Sequence, residues 1–263
     1  MKYTLLLLVL SVMGLNIAAQ TVSPYNKQTF IRGTDTLRYR IMYPVNYNAK
    51  KQYPLLLFLH GAGERGNNNE AQLIHGSKLF ADSANRAKYP AIVILPQCPY
   101  TDFWARIKPV KGQTDSTPNV IEYPADWQIG KSLSMVSQLL DSFAASTTVD
   151  NKRIYVGGLS MGGMGTFEIL WRKPGFFAAA FPICGGGNTG TAAIYGNNFP
   201  IWVFHGKKDP VVDVNDSRKM VEALKAAGAK VKYSEYPEAK HDSWNNAFAE
   251  PDLLPWLFSQ QKK

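Results

Sequence analysis

Short, uninterrupted apolar runs alternate along this chain with longer stretches of helical periodicity, and that rhythm is the tightest constraint on its fold. Residues 53–60 (YPLLLFLH) and 91–97 (AIVILPQ) are almost wholly apolar, and similar runs recur at 153–157, 177–183 and 200–205. A strand with one wet face alternates apolar and polar side chains; a run without alternation is covered on both faces. Only residues 230–236 keep the period of two. Candidate helices lie between the runs, at 70–81, 129–145, 162–171, 214–227 and 247–259. Strand, helix and strand in succession build parallel pairs joined by right-handed crossovers. Residues 28–31 and 37–43 flank a Gly33-Thr34-Asp35 turn signal and read as an opening antiparallel hairpin. The expected class is α/β, with a mostly parallel sheet of about eight strands and helices on both faces.

With 263 residues, 45% of them hydrophobic, the chain has enough apolar material for one core, and residues 21–263 are expected to form a single domain. The first twenty residues differ in kind. Lys2 precedes an apolar run at 5–10, and Ala18 and Ala19 supply the small residues of a cleavage site, so 1–20 reads as a signal peptide. Its unbroken apolar part is shorter than the ~20 residues a spanning helix needs. The expectation is a secreted or periplasmic protein without stable membrane insertion. The formal charge of +9 is scattered rather than gathered into a stripe, which argues against a nucleic-acid partner. Residues 99–127 form one long irregular piece with Tyr100, Phe103 and Trp104, and read as a flap-like insertion.

Gly158-Leu159-Ser160-Met161-Gly162 matches G-x-S-x-G, directly after one apolar run and before a helical stretch. Chance alone writes that pattern in roughly one chain in ten of this composition, and its strand-turn-helix context removes most of that background. A serine in such a turn becomes a nucleophile only when a base takes its proton and a third group orients the base. Four histidines are available. His60 and His205 end apolar runs, where rings satisfied by backbone are expected, and His75 lies in an ordinary helical stretch. His241 follows the last strand in a loop and comes after every candidate acid, which is the order Ser, acid, His. Asp209 lies just past the run at 200–205 and is the favoured acid, ahead of Asp213 and Asp216, which suit a helix start. Two amides must meet a developing oxyanion. Met161, at a helix N-terminus, is one candidate, and Ala62 in the His60-Gly61-Ala62-Gly63 loop is the other, with Gly63 close behind.

Together FLHGAGERG, ILPQCP, GLSMGGMG, FPICGG, HGKKDPVV and the KHDSWN stretch resemble the α/β-hydrolase superfamily, from Leu37 to the C-terminus. More narrowly, they resemble secreted carboxylesterases of the polyhydroxybutyrate-depolymerase and feruloyl-esterase-like group, also labelled phospholipase/carboxylesterase. The resemblance implies an α/β-hydrolase fold and a Ser, Asp, His triad, which falls on Ser160, Asp209 and His241, with no metal or cofactor. It implies a serine esterase whose substrates are small-molecule or polysaccharide-linked esters, with acetyl and feruloyl esters of plant polysaccharides as the leading expectation. A prolyl-oligopeptidase-like peptidase and an inactive binding protein on a hydrolase scaffold remain as alternatives. Trp104, Trp127 and Trp244 are the candidate substrate contacts, Trp244 first because it shares the base's loop. In this fold the strands ending at Cys98 and Cys184 are separated by two others, about 14 Å in the sheet plane. A disulfide needs Cα atoms within roughly 7 Å, so two buried free thiols are expected.

Overall fold

The computed structural model describes residues 23–110 and 120–263; the expected signal peptide lies outside them. The chain opens with β1 (Asn26–Arg32), β2 (Asp35–Met42) and β3 (Tyr53–Leu59), followed by α1 (Ser77–Ala81), α2 (Ser83–Lys88) and β4 (Ile92–Gln97). Two short strands, β5 (Lys108–Val110) and β6 (Val120–Glu122), precede α3 (Lys131–Ala144), β7 (Val149–Leu159), α4 (Met161–Arg172) and β8 (Ala179–Ile183). The remainder runs α5 (Ala192–Tyr195), β9 (Pro200–Gly206), α6 (Val214–Ala226), β10 (Lys230–Tyr236), α7 (Trp244–Ala249) and α8 (Leu253–Ser259).

Eight strands form one sheet in the order β1-β2-β4-β3-β7-β8-β9-β10. The β1–β2 and β2–β4 pairs are antiparallel, and every pair from β4 onward is parallel. This is the mostly parallel eight-stranded sheet expected from the alternating runs, in the α/β-hydrolase arrangement that the resemblance implies. In β3 successive side chains serve different cores. Leu55, Leu57 and Leu59 pack with Leu133 and Val136 of α3, Phe167 of α4 and Met220 and Leu224 of α6. Leu56 and Phe58 pack on the other face with Phe80 of α1, Ala247 of α7 and Leu253 and Leu257 of α8. Helices cover both faces, so a central strand has no side left for a polar residue.

Two local expectations give way to backbone chemistry. The helix expected at 70–81 is broken: a 3-10 turn at Ala71–Leu73 is separated from α1 by Gly76, whose φ of +78° takes the chain out of the right-handed region. The helix expected at 247–259 is two helices, α7 and α8, parted at Pro251, whose ring blocks a continuous helix and removes a donor. The flap-like insertion at 99–127 is anchored to the domain in its described parts. Trp104 and Ala105 are buried, and β5 pairs with β6 as a small antiparallel ribbon. Ile107, Ile121 and Tyr123 lie against Met164 of α4 and Val212, at the carboxyl end of the sheet.

The order β4-β3-β7-β8 sets the ends at Cys98 and Cys184 three spacings apart, and both thiols are free and buried. Burial pushes the Cys98 thiol up to about 12 and Cys184 further still. Among the described residues no helix is long and apolar enough to cross a membrane.

Gly157 in β7 faces the Phe181 ring of β8, and a Cβ there would run into it. Gly157→Ala is therefore expected to overpack the sheet and cost about 1–3 kcal/mol, read from the denaturant midpoint. Adding Phe181→Leu is expected to recover part of that loss.

Candidate active site

The carboxyl ends of the parallel strands gather the residues singled out above. Ser160 sits between β7 and α4 with φ 53° and ψ −117°, a conformation costly for a side-chain-bearing residue. The turn is held from both sides. Ser160 N donates to the Ile183 carbonyl at 2.9 Å, and α4 starts so close to β3 that a Cβ on Gly162 would collide with the Leu59 carbonyl oxygen. Glycine at 162 is a requirement of that approach.

His241 lies in the loop after β10, half-buried, with Nε2 2.9 Å from Ser160 Oγ and Nδ1 2.8 Å from Asp209 Oδ2. The loop reaches this position because Gly206, the last residue of β9, lets the backbone of Ala239 and Lys240 cross it; a Cβ there would meet both carbonyl oxygens. Lys207 N and Lys208 N then donate to the Tyr236 and Ala239 carbonyls and fasten the two loops together.

The Asp209 side chain is fully buried; it accepts three hydrogen bonds, and a fourth N–H, that of His205, is shared between it and the Val212 carbonyl. Its Oδ1 accepts the amides of Val211 at 2.8 Å and Val212 at 3.0 Å. Its Oδ2 accepts His241 and faces His205 Nε2 at 3.2 Å. Burial alone would raise its pKa; the bonds from His205, His241 and the two amides outweigh burial and hold the carboxyl far below the usual carboxylate range. Asp213 instead caps α6, accepting the Asn215 amide at 2.9 Å, and Asp216 of α6 accepts the Tyr123 hydroxyl at 3.1 Å.

Met161 is the first residue of α4, and Ala62 is the first of a 3-10 turn at Ala62–Glu64. Amides at those positions have no carbonyl partner within their own helices. The Ala62 loop is fixed from beneath by His60. The His60 ring donates through Nδ1 to the Gly61 carbonyl at 2.6 Å and accepts the Cys98 amide at Nε2 at 2.9 Å. Burial takes its pKa down to about 4, in keeping with a neutral structural ring.

The three tryptophans fare differently. Trp244, the first residue of α7, packs edge-on to His241 at 5.5 Å between ring centres and also touches His75 at 5.0 Å. It lines a cleft with Ile74, His75, Lys78, Asn245 and Phe248. Trp104 is not a cleft residue: it has no exposed surface, its Nε1 donates to the His60 carbonyl at 3.1 Å, and its stem fills the space beside Gly165. Its role is to support the Ala62 loop. Trp127 is exposed but lies at the far end of α4, where Arg172 donates to its carbonyl. Twelve helical residues, about 18 Å, separate the start of α4 beside Ser160 from Arg172, whose side chain holds Trp127.

Two neighbours of the site escaped sequence reasoning. His205 is buried and bonds the Val212 carbonyl through Nε2, as expected, but it also bonds Ser217 Oγ at 2.7 Å and faces Asp209. Cys184 follows β8 at φ 41°, and its Sγ, a ring nitrogen of His241 and a carboxylate oxygen of Asp209 lie within 4.8 Å of one another. The spacing H-G-x-x-D was the available signal for His205; nothing local signalled Cys184.

The model of the phospholipase/carboxylesterase family matches residues 43–250. This chain belongs to that family. Over 107 residues it is 34% identical to a bifunctional acetylxylan esterase/xylanase of Neocallimastix patriciarum, a stretch amounting to 38% of this chain and 16% of that protein. The phospholipase/carboxylesterase chain also resembles a thermostable esterase of known structure, with a TM-score of 0.79 and 33% identity. That likeness covers 90% of this chain and 63% of the other. A ferulic acid esterase shares the fold alone, at a TM-score of 0.62 and 16% identity over 89% of this chain and 97% of the other. The chain thus spans under a fifth of that curated relative and under two thirds of the thermostable esterase.

Gly206→Ala is expected to displace the loop that carries His241 without unfolding the sheet. A shift of about 1 Å there costs roughly 10–100-fold in rate, measurable as slower fluorophosphonate labelling with an unchanged circular dichroism spectrum.

Proposed function

We propose that this chain is a secreted serine esterase that cleaves carboxylic esters through an acyl-enzyme. The observation that carries the reading is the unbroken relay from Ser160 Oγ to His241 Nε2, at 2.9 Å, and from His241 Nδ1 to Asp209 Oδ2, at 2.8 Å. Ser160 Oγ attacks the ester carbonyl carbon as its proton passes to His241 Nε2. The carbonyl oxygen becomes an oxyanion held by the Ala62 and Met161 amides. His241 returns the proton to the leaving alcohol as the C–O bond breaks, leaving Ser160 acylated. Water then repeats the sequence: it loses a proton to His241, attacks the acyl carbon and releases the acid, and Ser160 recovers its proton.

The substrate class proposed is acetyl or feruloyl esters on plant polysaccharides. Three considerations support it: the family, the acetylxylan esterase named among the relatives, and the position of Trp244. His241 must protonate the leaving oxygen, so the alcohol departs on the side of the base. Trp244 packs against that side, and its cleft offers an aromatic surface with His75, Lys78 and Asn245 around it, which suits a sugar. The signal-like residues 1–20 support export.

Ser160→Ala is expected to abolish fluorophosphonate labelling and to lower hydrolysis of p-nitrophenyl acetate by on the order of 10⁴-fold or more. Acetylated xylan, methyl ferulate and a proline-containing chromogenic peptide, compared in one assay, test the substrate class; faster peptide cleavage would overturn the esterase reading. Activity is expected to fall as pH drops, because protonated His241 cannot accept the serine proton. Asp209 stays ionised throughout that fall, so the loss should follow a single proton.

A further inference from the structure

Asp209 lies between two imidazoles. His241 occupies one side and His205, fully buried at the end of β9, the other. His205 Nε2 is 3.2 Å from Asp209 Oδ2 and 3.1 Å from the Val212 carbonyl. Both neighbours are acceptors, so Nε2 carries a proton and the ring's orientation is set. At the other nitrogen, unprotonated Nδ1 accepts the Ser217 hydroxyl at 2.7 Å, and Ser217 Oγ also lies 2.7 Å from the Gly185 carbonyl oxygen. The ring is thus clamped between α6, the segment after β8 and the acid loop. The single Nε2–H is thus shared between the Val212 carbonyl and the one carboxylate that faces His241, an arrangement that filling space does not require.

We propose that His205 is a positioning residue for the acyl-transfer site, sharing Asp209 Oδ2 with His241 and so setting both the carboxylate's orientation and its hold on a protonated His241. The proposal rests on the reading of Ser160, His241 and Asp209 as the catalytic relay. An oxygen that accepts two N–H groups offers each less charge than it would offer one, and the effect is large in a buried, water-poor place. With Oδ1 already anchored by the Val211 and Val212 amides, the His205 bond also stops the carboxylate from turning. The position of Asp209 far below the usual carboxylate range is consistent with that extra donor.

Other titratable groups stand on the elements around His205. Asp213 caps α6, and Arg218 of α6 pairs with Glu235 of β10 at 2.6 Å. Asp216 of α6 is bonded to Tyr123, and burial raises its pKa. Cys184 follows β8 and Lys240 lies in the base loop. Among the carboxylates on α6, Asp216 is the one whose titration could mimic a change at Asp209, so Asp216→Asn serves as the control.

The test is the pH dependence of kcat/KM for p-nitrophenyl acetate in His205→Leu, His205→Gln and Asp216→Asn. Without the second donor, Asp209 holds the proton-bearing His241 more strongly, so the acid limb of His205→Leu should move up by about half to one pH unit, with kcat lowered about tenfold. Gln restores an N–H near the Nε2 position and should bring the limb back towards that of the unmutated protein; Asp216→Asn should leave it in place. A folded Leu variant whose limb stays put overturns the proposal, as does a limb that Gln fails to recover or that Asp216→Asn moves equally. If the Leu variant does not fold, Ser217→Ala, which releases Nδ1, should give a smaller shift of the same sign, and no shift overturns the proposal. Failure of the catalytic reading looks different: Ser160→Ala would then retain hydrolysis whatever the His205 variants do.

Discussion

The approach of α4 to β3 is the contact on which the site depends. Gly162 passes the Leu59 carbonyl with no room for a methyl group, and Ser160 N is tied to the Ile183 carbonyl. Between these two restraints the serine has one conformation, and it is an unfavourable one. The same approach sets α4's first amide, Met161, over the end of the strand whose following loop carries Ala62. The proposed nucleophile and the candidate oxyanion donors are therefore placed by one packing event, and the eight-stranded sheet supplies the rigidity that event needs.

The proposed base and acid depend on a second close approach, at Gly206. The loop bearing His241 crosses β9 over that residue, and the Lys207 and Lys208 amides bond back to the loop. Asp209 follows within three residues. Its full complement of donors explains how a carboxylate without solvent contact stays ionised: two amides and two imidazoles replace the water it has lost. The electrostatics of the site are local, contained in one loop and the strand end beneath it.

Much of this was legible in the sequence, for stated reasons. Strands buried on both faces write themselves as unbroken apolar runs, so β3, β4 and β9 were readable, and chain order singled out His241 among four histidines. What failed shares another cause. An aromatic residue in an irregular segment reads alike whether it lines a cleft or plugs a core, and Trp104 proved to be the plug. Trp127 could be placed only by knowing that the insertion runs down the length of α4. His205 reaches Asp209 across four residues of one segment, which the H-G-x-x-D spacing did record, whereas Cys184 reaches it through the register of β8 against β9, a long-range fact that local composition does not record. The breaks at Gly76 and Pro251 were visible as residues, but apolar spacing on either side concealed them.

Ser160 and Cys184 both hold φ in the left-handed region, one after β7 and one after the adjacent β8. Each such residue costs on the order of 1–3 kcal/mol that glycine would largely avoid. A sequence optimised for thermal resistance alone would put glycine at both positions and lose the hydroxyl and the thiol beside His241. Natural chains need only stay above a stability threshold, and here the margin supplied by two well-filled cores is what lets the strained pair persist. Tolerance to mutation elsewhere in the sheet is correspondingly reduced: damage to β3 or α6, far from the chemistry, draws on the same reserve that keeps Ser160 upright.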